Sequence, residues 1–472
     1  MTTCWCAELG DESARSAQYV ESTASPTLSW WFYVRGTHSA SSATLSLQGS
    51  VSVETVGYTG RRRQPLLVTL VFYALGMATL LPWNFFITAE TYWQYKLRNV
   101  SVGEEWNWSN ATLTPLQISF TPTLVIVSNV FCTVFLLFTS AIVRRVKEMV
   151  RQLGSLVLSL ATMVLITLFT FIDTDAWQFA FFVITMILIA ILNVCVAVLQ
   201  GSSYGLAGLF PASCMSGMLS GQAISGIFSS LARIISLLVG EEPVTSGLVF
   251  FVIADVFLVV SIAGYVYMTR MNYYHSVKAE AEGKEQAEHK SDTQTYISVL
   301  KKVWLMGTTL GGTLFITLMV YPAVVVYVTS VYPESRWTEE FFQPTITFLL
   351  FNIGDTLGRE ITRWWRWPRA RGWQLHVFGA ARLVFLPLLM LCHGENKTFP
   401  TLLDHDAYYI VLIFFFAFTN GYVGTLTMIY YPSLVEPNEL EVGGAIMAAM
   451  MGIGMVVGAL LSPAFVALWG PV

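Results

Sequence analysis

Charged residues are scarce in this chain of 472 residues. They make up 12% of it, against 54% hydrophobic residues and a mean hydropathy of +0.59. Because a soluble protein carries about 25% charged residues, this composition excludes an ordinary soluble domain. Cysteines are also few: there are six, scattered, with no CxxC pair. The sequence therefore predicts neither a disulfide framework nor a cysteine-based metal site, and most of the cysteines are expected to be buried structural residues.

Motifs for catalysis and for nucleotide hydrolysis are missing as well. No GxxxxGK[ST] sequence occurs, which argues against ATP-driven transport by this chain. HExxH, GxSxG and clustered Cys/His ligand sets are also absent, and the six histidines are dispersed. We therefore expect no enzyme activity, no metal and no cofactor. Nothing indicates a nucleic-acid ligand or an obligate protein partner, and the expected surroundings are a lipid bilayer.

Long apolar runs are what the chain has instead. Runs of about 20 residues or more are long enough to cross a bilayer as helices. The sequence predicts an all-α membrane protein with eleven transmembrane helices, at 65–89, 115–143, 153–172, 178–209, 216–240, 246–268, 303–330, 341–364, 375–392, 407–431 and 442–468. The first six spans would form an N-terminal bundle (61–268) and the other five a C-terminal bundle (303–472), as expected for two bundles that rock about a central site.

Two segments lie outside these bundles. Residues 1–60 are rich in Ser, Thr and Ala and contain no apolar stretch long enough to span, so we predict a disordered cytoplasmic tail without a cleavable signal peptide. Residues 269–302 mix both charge signs and have few large apolar residues in their central part. They are predicted to be a solvated cytoplasmic linker with some helical propensity.

The distribution of basic residues predicts the orientation. With the N-terminus in the cytoplasm, the inner side holds the basic clusters, namely Arg61, Arg62, Arg63, Arg144, Arg145, Lys147, Arg151, the six Lys/Arg of 270–302, Arg363, Arg366, Arg369 and Arg371. The outer loops then hold only Lys96, Arg98, Arg336 and Lys397, as the positive-inside rule requires. An odd number of spans places the C-terminus outside.

Glycosylation sequons agree with this orientation. Three of them, at Asn99, Asn107 and Asn110, lie in the loop after the first span, about 90–114, and Asn396 lies in the loop after the ninth. Both loops are extracellular in the predicted topology, so these four asparagines are glycosylation candidates.

A polar stripe on the eighth span is the strongest candidate site. Phe348, Asn352, Asp355 and Arg359 fall on one face of a helix at about 100° per residue. A charge at the bilayer centre costs about 3 kcal/mol on insertion scales, so the stripe is expected to face protein or water. An alternative is a buried ion pair that only holds the span in register. Gly354 and Gly358 on a different face are expected to admit a neighbouring helix.

Polar groups on other spans have two possible roles each. Trp83 follows Pro82 in the first span and either anchors the membrane interface or lines the helix at the proline. Gln200, flanked by a face of small residues, either joins helices or contacts a ligand. Arg233 and Asp255 lie at matching depths in the fifth and sixth spans, and we hypothesise that they form an interhelical ion pair.

Together these segments resemble the equilibrative nucleoside transporter family, and the motifs are closest to its plasma-membrane members. The resemblance runs in order from about 65 to 465 and rests on several short motifs, namely Leu81-Pro-Trp-Asn-Phe-Phe86, Leu199-Gln-Gly-Ser202, Gly205-Leu-Ala-Gly208, Leu219-Ser-Gly-Gln222, Tyr321-Pro-Ala-Val324, Asp355-x-x-Gly-Arg359 and Thr419-Asn-Gly-Tyr422. It implies a fold related to the major facilitator superfamily, with bundles of six and five helices.

The resemblance also implies roles for individual residues. Trp83, with Leu80 beside it, resembles the aromatic contact to the nucleoside, and Gln200 resembles the amide that binds the base. Asp355 and Arg359 resemble the pair near the ribose, since a carboxylate accepts from a hydroxyl and a guanidinium donates to one.

Three further residues complete the implied substrate site. Asn352 and Phe348 continue the stripe of the eighth span, and Tyr321 occupies the family's aromatic position before Pro322. Arg233 and Asp255 match no family motif, so no role is carried over to them.

The resemblance implies a facilitative carrier that moves purine and pyrimidine nucleosides down their gradient by alternating access. One alternative is a proton-coupled nucleoside carrier or an organic-cation carrier on the same fold. Another is a membrane scaffold or receptor that transports nothing. Residues 1–60 hold no acidic dileucine signal, so the plasma membrane is expected rather than the lysosomal or endosomal membrane.

Overall fold

The computed structural model describes most of the chain after the predicted tail. The described residues are 65–100, 114–142, 145–239, 243–285, 292–332, 335, 337–369, 373–394, 397–398 and 400–469. The predicted tail 1–60, the tip of the first outer loop and the last three residues lie outside them. The helices are α1 (Leu66–Thr88), α2 (Glu90–Lys96), α3 (Pro115–Ile142), α4 (Glu148–Leu168), α5 (Gln178–Leu209), α6 (Ala212–Val239), α7 (Pro243–Thr269), α8 (Asn272–Glu285), α9 (Asp292–Val320), α10 (Leu350–Ile361), α11 (Gln374–Ala381), α12 (Phe385–Met390), α13 (Asp406–Tyr430) and α14 (Leu440–Trp469).

Nine of these helices in the described ranges are long and apolar enough to cross a membrane. The other two predicted spans are interrupted. Two π-helical turns, Trp337–Phe341 and Gln343–Leu349, precede α10, and a 3-10 turn, Arg382–Val384, joins α11 to α12. The remaining boundaries differ most at α9, which extends well before the predicted 303 and ends at Val320. The first turns of α9 are polar, so the hydropathy of the sequence identified only its apolar part. At the other end, Pro322 cannot continue the helix because it lacks an N–H.

Two groups of helices pack against each other along the central core. In the first half α1 packs on α6 and α7, and α5 on α3 and α4; in the second half α9 packs on α14 and α10 on α13. The halves meet where α14 lies against α3 and α5, and where α6 lies against α10 and the π-helical segment. The core that results contains buried residues of both halves.

Glycines allow the closest of these approaches. A Cβ on Gly205 of α5 would lie 2.8 Å from Glu441 Cα, and one on Gly444 of α14 would lie 2.5 Å from Gly205 N. A Cβ on Gly358 would lie 2.1 Å from Phe418 O. Backbone atoms cannot move aside for a Cβ at such distances, so the helices approach this closely only where the residue is glycine. The predicted packing role of the small residues in the fourth and eighth spans is therefore confirmed.

The segment predicted to be a solvated linker contains a docked helix. α8 buries Tyr273, Tyr274 and Val277 against the core of the first half. The first residue of α4, Glu148, is buried and holds α8 in place, since Tyr274 Oη donates to it at 2.7 Å and Lys278 Nζ lies 2.9 Å from it. Burial, and then the charge of Glu148, raises the pKa of Tyr274, so the phenol keeps the proton that it donates.

Glu148→Gln is expected to lower the melting temperature of the purified protein. Tyr265 Oη of α7 also donates to Glu148, at 2.7 Å, and an amide cannot accept all three hydrogen bonds. Breaking a buried charged network in this way costs about 3–5 kcal/mol. Glu90→Gln is the matched control, because Glu90 is exposed, and surface changes stay within about 0.5 kcal/mol. Equal melting temperatures for the two variants would contradict the anchoring role of Glu148.

Candidate functional site

A cavity of about 190 Å³ lies between the two halves. Its walls come from α1, α3, α5 and α6 on one side and from α9, α10, α13 and α14 on the other. Four of the sequence-predicted site residues line it: Leu80, Trp83, Gln200 and Arg359. Among the described residues, Arg359 is the one charged side chain in this lining.

Arg359 is fixed by partners from both halves. Its Nε donates to Asp355 Oδ2 at 2.8 Å on the same helix, and its Nη1 donates to the carbonyl of Leu219 on α6 at 2.8 Å. The third guanidinium nitrogen, Nη2, has no hydrogen-bond partner among the described residues. A charged donor in a fixed position is therefore available to a molecule in the cavity.

Asp355 lies behind Arg359 rather than in the cavity wall. It is 5% exposed, and its second oxygen, Oδ1, accepts from Asn420 Nδ2 of α13 at 2.7 Å. Gly421 permits this approach, because a Cβ there would lie 2.0 Å from the carbonyl oxygen of Asp355. Both carboxylate oxygens are thus engaged, and the geometry makes Asp355 the group that orients Arg359.

A second buried arginine, Arg382, is joined to Asp355 by a chain of hydrogen bonds. Arg382 is 1% exposed, and its Nη2 donates to Thr317 Oγ1 at 2.9 Å. Thr317 Oγ1 in turn donates to Asn420 Oδ1 at 2.8 Å. Asn420 therefore accepts on its oxygen and donates to Asp355 with its nitrogen, so the amide is locked in one orientation. This chain of contacts links α9, the 3-10 turn after α11, α13 and α10.

Gln200 belongs to a chain of hydrogen bonds that joins α5, α6 and α1 in the first half. Its Nε2 donates to Tyr204 Oη at 2.9 Å, and Tyr204 Oη donates to Gln222 Oε1 at 3.2 Å. Gln222 Nε2 then donates to Thr79 Oγ1 at 3.1 Å. All four residues line the cavity. Because Gln200 uses its nitrogen within the protein, its Oε1, which has no partner among the described residues, is left as an acceptor.

The other three predicted site residues lie apart from this cavity lining. Tyr321 stacks on Phe351 with ring centroids 3.7 Å apart and meets Phe348 edge-on at 6.1 Å. Asn352 Nδ2 donates to Ser230 Oγ of α6 at 3.1 Å. Phe348 lies in the π-helical segment, where the residues per turn differ from those of an α-helix.

The proposed ion pair between Arg233 and Asp255 is wrong. Asp255 Oδ2 accepts from Thr167 Oγ1 of α4 at 2.7 Å, and its buried Oδ1 has no partner. No ion pair joins it to Arg233 within the ranges that the structure describes. The physical reason is the lateral position of the two helices. α6 and α7 each pack on α1, and α7 also packs on α4. Two side chains at equal depth in these helices therefore need not meet.

Several polar contacts join the two halves on one side of the cavity. Tyr73 Oη of α1 donates to Glu360 Oε1 at 2.6 Å and also accepts from Arg363. Arg151 Nη2 of α4 pairs with Glu441 Oε2 of α14 at 3.0 Å. These contacts lie at the end where α1 and α4 begin and α10 ends, and they hold the two halves together there.

Sequence reasoning assigned no role to several residues of this site. Asn420 and Gln222 stand in motifs that carried the resemblance, and Arg382 is an isolated cation in an apolar span. A rule that every buried charge needs partners would have pointed to Arg382. Asn193 and Ser128, which also line the cavity, give no signal beyond being polar within apolar runs.

Comparison with solved structures identifies the fold. The fold resembles the major facilitator superfamily proton:xylose symporter XylE, with a TM-score of 0.58 and 10% identity over 84% of this chain and 87% of that one. It also resembles the human organic anion transporter MFSD10, with a TM-score of 0.50 and 13% identity over 86% and 95%. The fold is therefore the one that these two transporters share, and the nine long apolar helices of the described ranges are those of a multi-pass membrane protein.

Sequence comparison gives the family within that class. Residues 186–467 match the family model described as "Nucleoside transporter". The chain is 33% identical to equilibrative nucleoside transporter 1 of Homo sapiens over 438 residues, which cover 84% of this chain and 96% of that protein. It is 33% identical to equilibrative nucleoside transporter 2 of Rattus norvegicus over 447 residues, 85% and 97% of the two chains. The chain belongs to the equilibrative nucleoside transporter family, and it is a transporter, not an enzyme.

Proposed function

We propose that the central cavity is the nucleoside site of this carrier and that the two halves expose it to each side of the membrane in turn. As an equilibrative nucleoside transporter, the chain moves nucleosides across a membrane down their gradient. The observation that carries the proposal is Arg359, whose Nη2 has no hydrogen-bond partner in the part of the chain that the structure describes, while its other nitrogens donate to Asp355 and Leu219. A nucleoside is neutral and rich in hydroxyls, which suits one fixed donor in an otherwise largely apolar cavity.

The ribose and the base occupy different walls. Arg359 donates to the ribose hydroxyls, and Asp355 acts through Arg359, since Asn420 and Arg359 occupy both of its oxygens. The free Oε1 of Gln200 accepts from the base. Trp83, with Leu80, presents an aromatic face for the base or sugar.

At the end of the substrate path away from the Tyr73–Glu360 contact lie the three remaining predicted site residues, Tyr321, Phe348 and Asn352. Asn352 touches α6 through Ser230 and lies so close to Gly226 that a Cβ there would be 2.2 Å from Asn352 Oδ1. A contact between the halves at this level closes over a substrate that lies against Arg359.

The proposed topology has eleven spans in bundles of six and five. The two interrupted segments, 337–361 and 374–390, complete the second bundle together with α9, α13 and α14. The basic clusters place the N-terminus in the cytoplasm and the C-terminus outside. The end closed by Tyr73, Glu360 and the Arg151–Glu441 pair is then the cytoplasmic end, and these contacts must separate for inward release.

Location and modification follow from the same topology. Asn99 lies just after α2 and is exposed, as an extracellular glycosylation site must be. Asn107, Asn110 and Asn396 lie outside the described residues and remain candidates. The plasma membrane is the proposed location.

Uridine uptake into proteoliposomes tests the passive mechanism. We expect internal uridine to rise only to the external concentration, at acidic and at neutral pH, with and without an imposed proton gradient. A facilitative carrier does not couple transport to an ion, so an imposed proton gradient does not change the final internal concentration of uridine. Accumulation above the external concentration under the gradient would refute passive transport and favour proton coupling. Empty liposomes are the control for leak.

A further inference from the structure

The segment that joins α10 to α11 carries four exposed tryptophans. Trp364 is 81% exposed, Trp365 57%, Trp367 51% and Trp373 70%. In water each of these indole rings would be an apolar surface without cover, and exposed apolar patches mark sites of interaction with proteins or membranes. These four side chains are called the tryptophan patch below.

The backbone of this segment is fixed by two phenols of α13. Tyr422 Oη accepts from the backbone N–H of Trp367 at 3.2 Å and donates to the carbonyl of the same residue. Tyr430 Oη donates to the carbonyl of Pro368 at 3.0 Å. The rings of Trp365 and Trp367 stack with their centroids 6.5 Å apart. Because its backbone is tied to α13, the segment presents the indole rings on a preformed surface.

The charges of this segment are unbalanced. Residues 361–374 hold four arginines and no Asp or Glu. Arg363 pairs with Glu360 at 2.9 Å, and Arg366 Nε donates to a backbone carbonyl one turn earlier at 3.0 Å. Arg369 is exposed and has neither an ion pair nor a hydrogen bond in the part of the chain that the structure describes. A positive charge is therefore available to a ligand that covers the indole rings.

The beginning of α9 adds a second cation at the same end of the second half. α11 packs on α9, where His376 Nδ1 contacts Thr309 Oγ1. Lys301 precedes Thr309 by about 12 Å along α9, toward the end at which the tryptophan patch lies. Lys301 is exposed and has no ion-pair partner among the described residues, whereas the adjacent Lys302 is held by Glu439 at 2.6 Å.

We propose that the tryptophan patch, together with Arg369 and Lys301, binds anionic phospholipids of the cytoplasmic leaflet, with phosphatidylserine as the representative headgroup. Tryptophan favours any membrane–water interface, so the indole rings supply affinity for lipid in general. The two cations supply the preference for anionic lipid, because basic residues next to a membrane span are attracted to a negative leaflet. This inference goes beyond nucleoside transport and depends on the proposed function only through the topology, which puts this end in the cytoplasm.

Lipid titration of the purified protein in detergent tests the site. The melting temperature is followed while phosphatidylserine or phosphatidylcholine is added, and each titration gives an apparent Kd, since a ligand of the folded state raises its stability. Each basic residue near an anionic headgroup adds about fivefold in affinity. We therefore expect phosphatidylserine to bind about 10- to 30-fold more tightly than phosphatidylcholine.

The variants change only exposed side chains, so they leave the packing of the helices intact. Arg369→Gln should weaken phosphatidylserine binding about fivefold, and adding Lys301→Gln should weaken it about fivefold again, with phosphatidylcholine binding unchanged. Trp364→Ser should weaken the binding of both lipids and leave their ratio unchanged. Arg270→Gln is the matched control, because it removes an exposed charge at the same end of the first half, and it should change each Kd by less than twofold.

Three results would overturn the lipid site. The first is equal affinity of the wild type for the two lipids. The second is an equal loss in Arg270→Gln and Arg369→Gln, which would make net charge the cause. The third is stabilisation by inorganic phosphate or glycerophosphoserine that matches stabilisation by the lipid, which would indicate a site for free anions. None of these titrations measures transport, so a wild-type protein that takes up no uridine would overturn the proposed function alone.

Discussion

Arg359→Ala is expected to reduce uridine uptake by about 100-fold or more with a normal amount of protein at the cell surface. The change removes the donor that the cavity offers and the cation that neutralises the buried Asp355. Truncating one partner of a buried hydrogen-bonded charge pair costs about 2–5 kcal/mol of binding free energy, and each 1.4 kcal/mol is a factor of ten. Initial rates of labelled uridine uptake, normalised to surface protein, measure the loss.

Two further variants make this result specific. Arg359→Lys keeps the charge but not the fork that reaches Asp355, Leu219 and the cavity together, so it should recover stability more than uptake. Arg366→Ala is the control, because Arg366 is exposed beyond the end of α10. If Arg359→Ala transported uridine within a few-fold of the wild type, the cavity would not be the nucleoside site, and a non-transporting scaffold would regain support.

Gly421→Ala is expected to abolish uptake although it adds a single methyl group. Its Cβ would lie 2.0 Å from the carbonyl oxygen of Asp355 and 3.1 Å from Arg359 Cγ, so α10 must move away from α13. Overpacking of a close contact typically costs about 1–3 kcal/mol. The displacement also pulls Asp355 from Asn420, so the loss of uptake should exceed the loss of stability. Uridine uptake and the melting temperature of the purified variant are the two measurements.

Gly312→Ala provides the matched comparison for this substitution. Gly312 lies in α9, and an added Cβ there meets nothing within 4 Å. Since alanine favours helix over glycine by about 1 kcal/mol, Gly312→Ala should be neutral or stabilising. A similar loss of uptake in both variants would mean that helix flexibility, not the Asp355 contact, is what Gly421 provides.

Local patterns in the sequence predicted the elements of this fold but not their neighbours. Apolar runs located the long helices, and the glycine faces of α5 and α10 were identified from spacing alone, because both depend on residues close together in the chain. The partners of Asp355 could not be found in this way. Asn420 lies 65 residues further along, and its alignment with α10 depends on packing that no single helix encodes.

The wrong pairing of Arg233 with Asp255 has the same origin. Arg233 and Asp255 were matched by depth, which hydropathy gives, although lateral position decides whether two helices touch. Ser128 and Asn193 look ordinary in sequence, and only their common position on the cavity wall makes them candidates for a role.

The network of buried arginines has an electrostatic consequence for the choice of solutes. Arg359 and Arg382 are both held in the interior, yet Asp355 is the one carboxylate that their network contains in the described part of the chain. Two unit charges 4 Å apart interact by about 4 kcal/mol at an effective dielectric constant near 20. A solute with a fixed positive charge would therefore be repelled from the middle of its path. We therefore expect organic cations to be poor solutes for this carrier, whereas neutral nucleosides pass without this penalty.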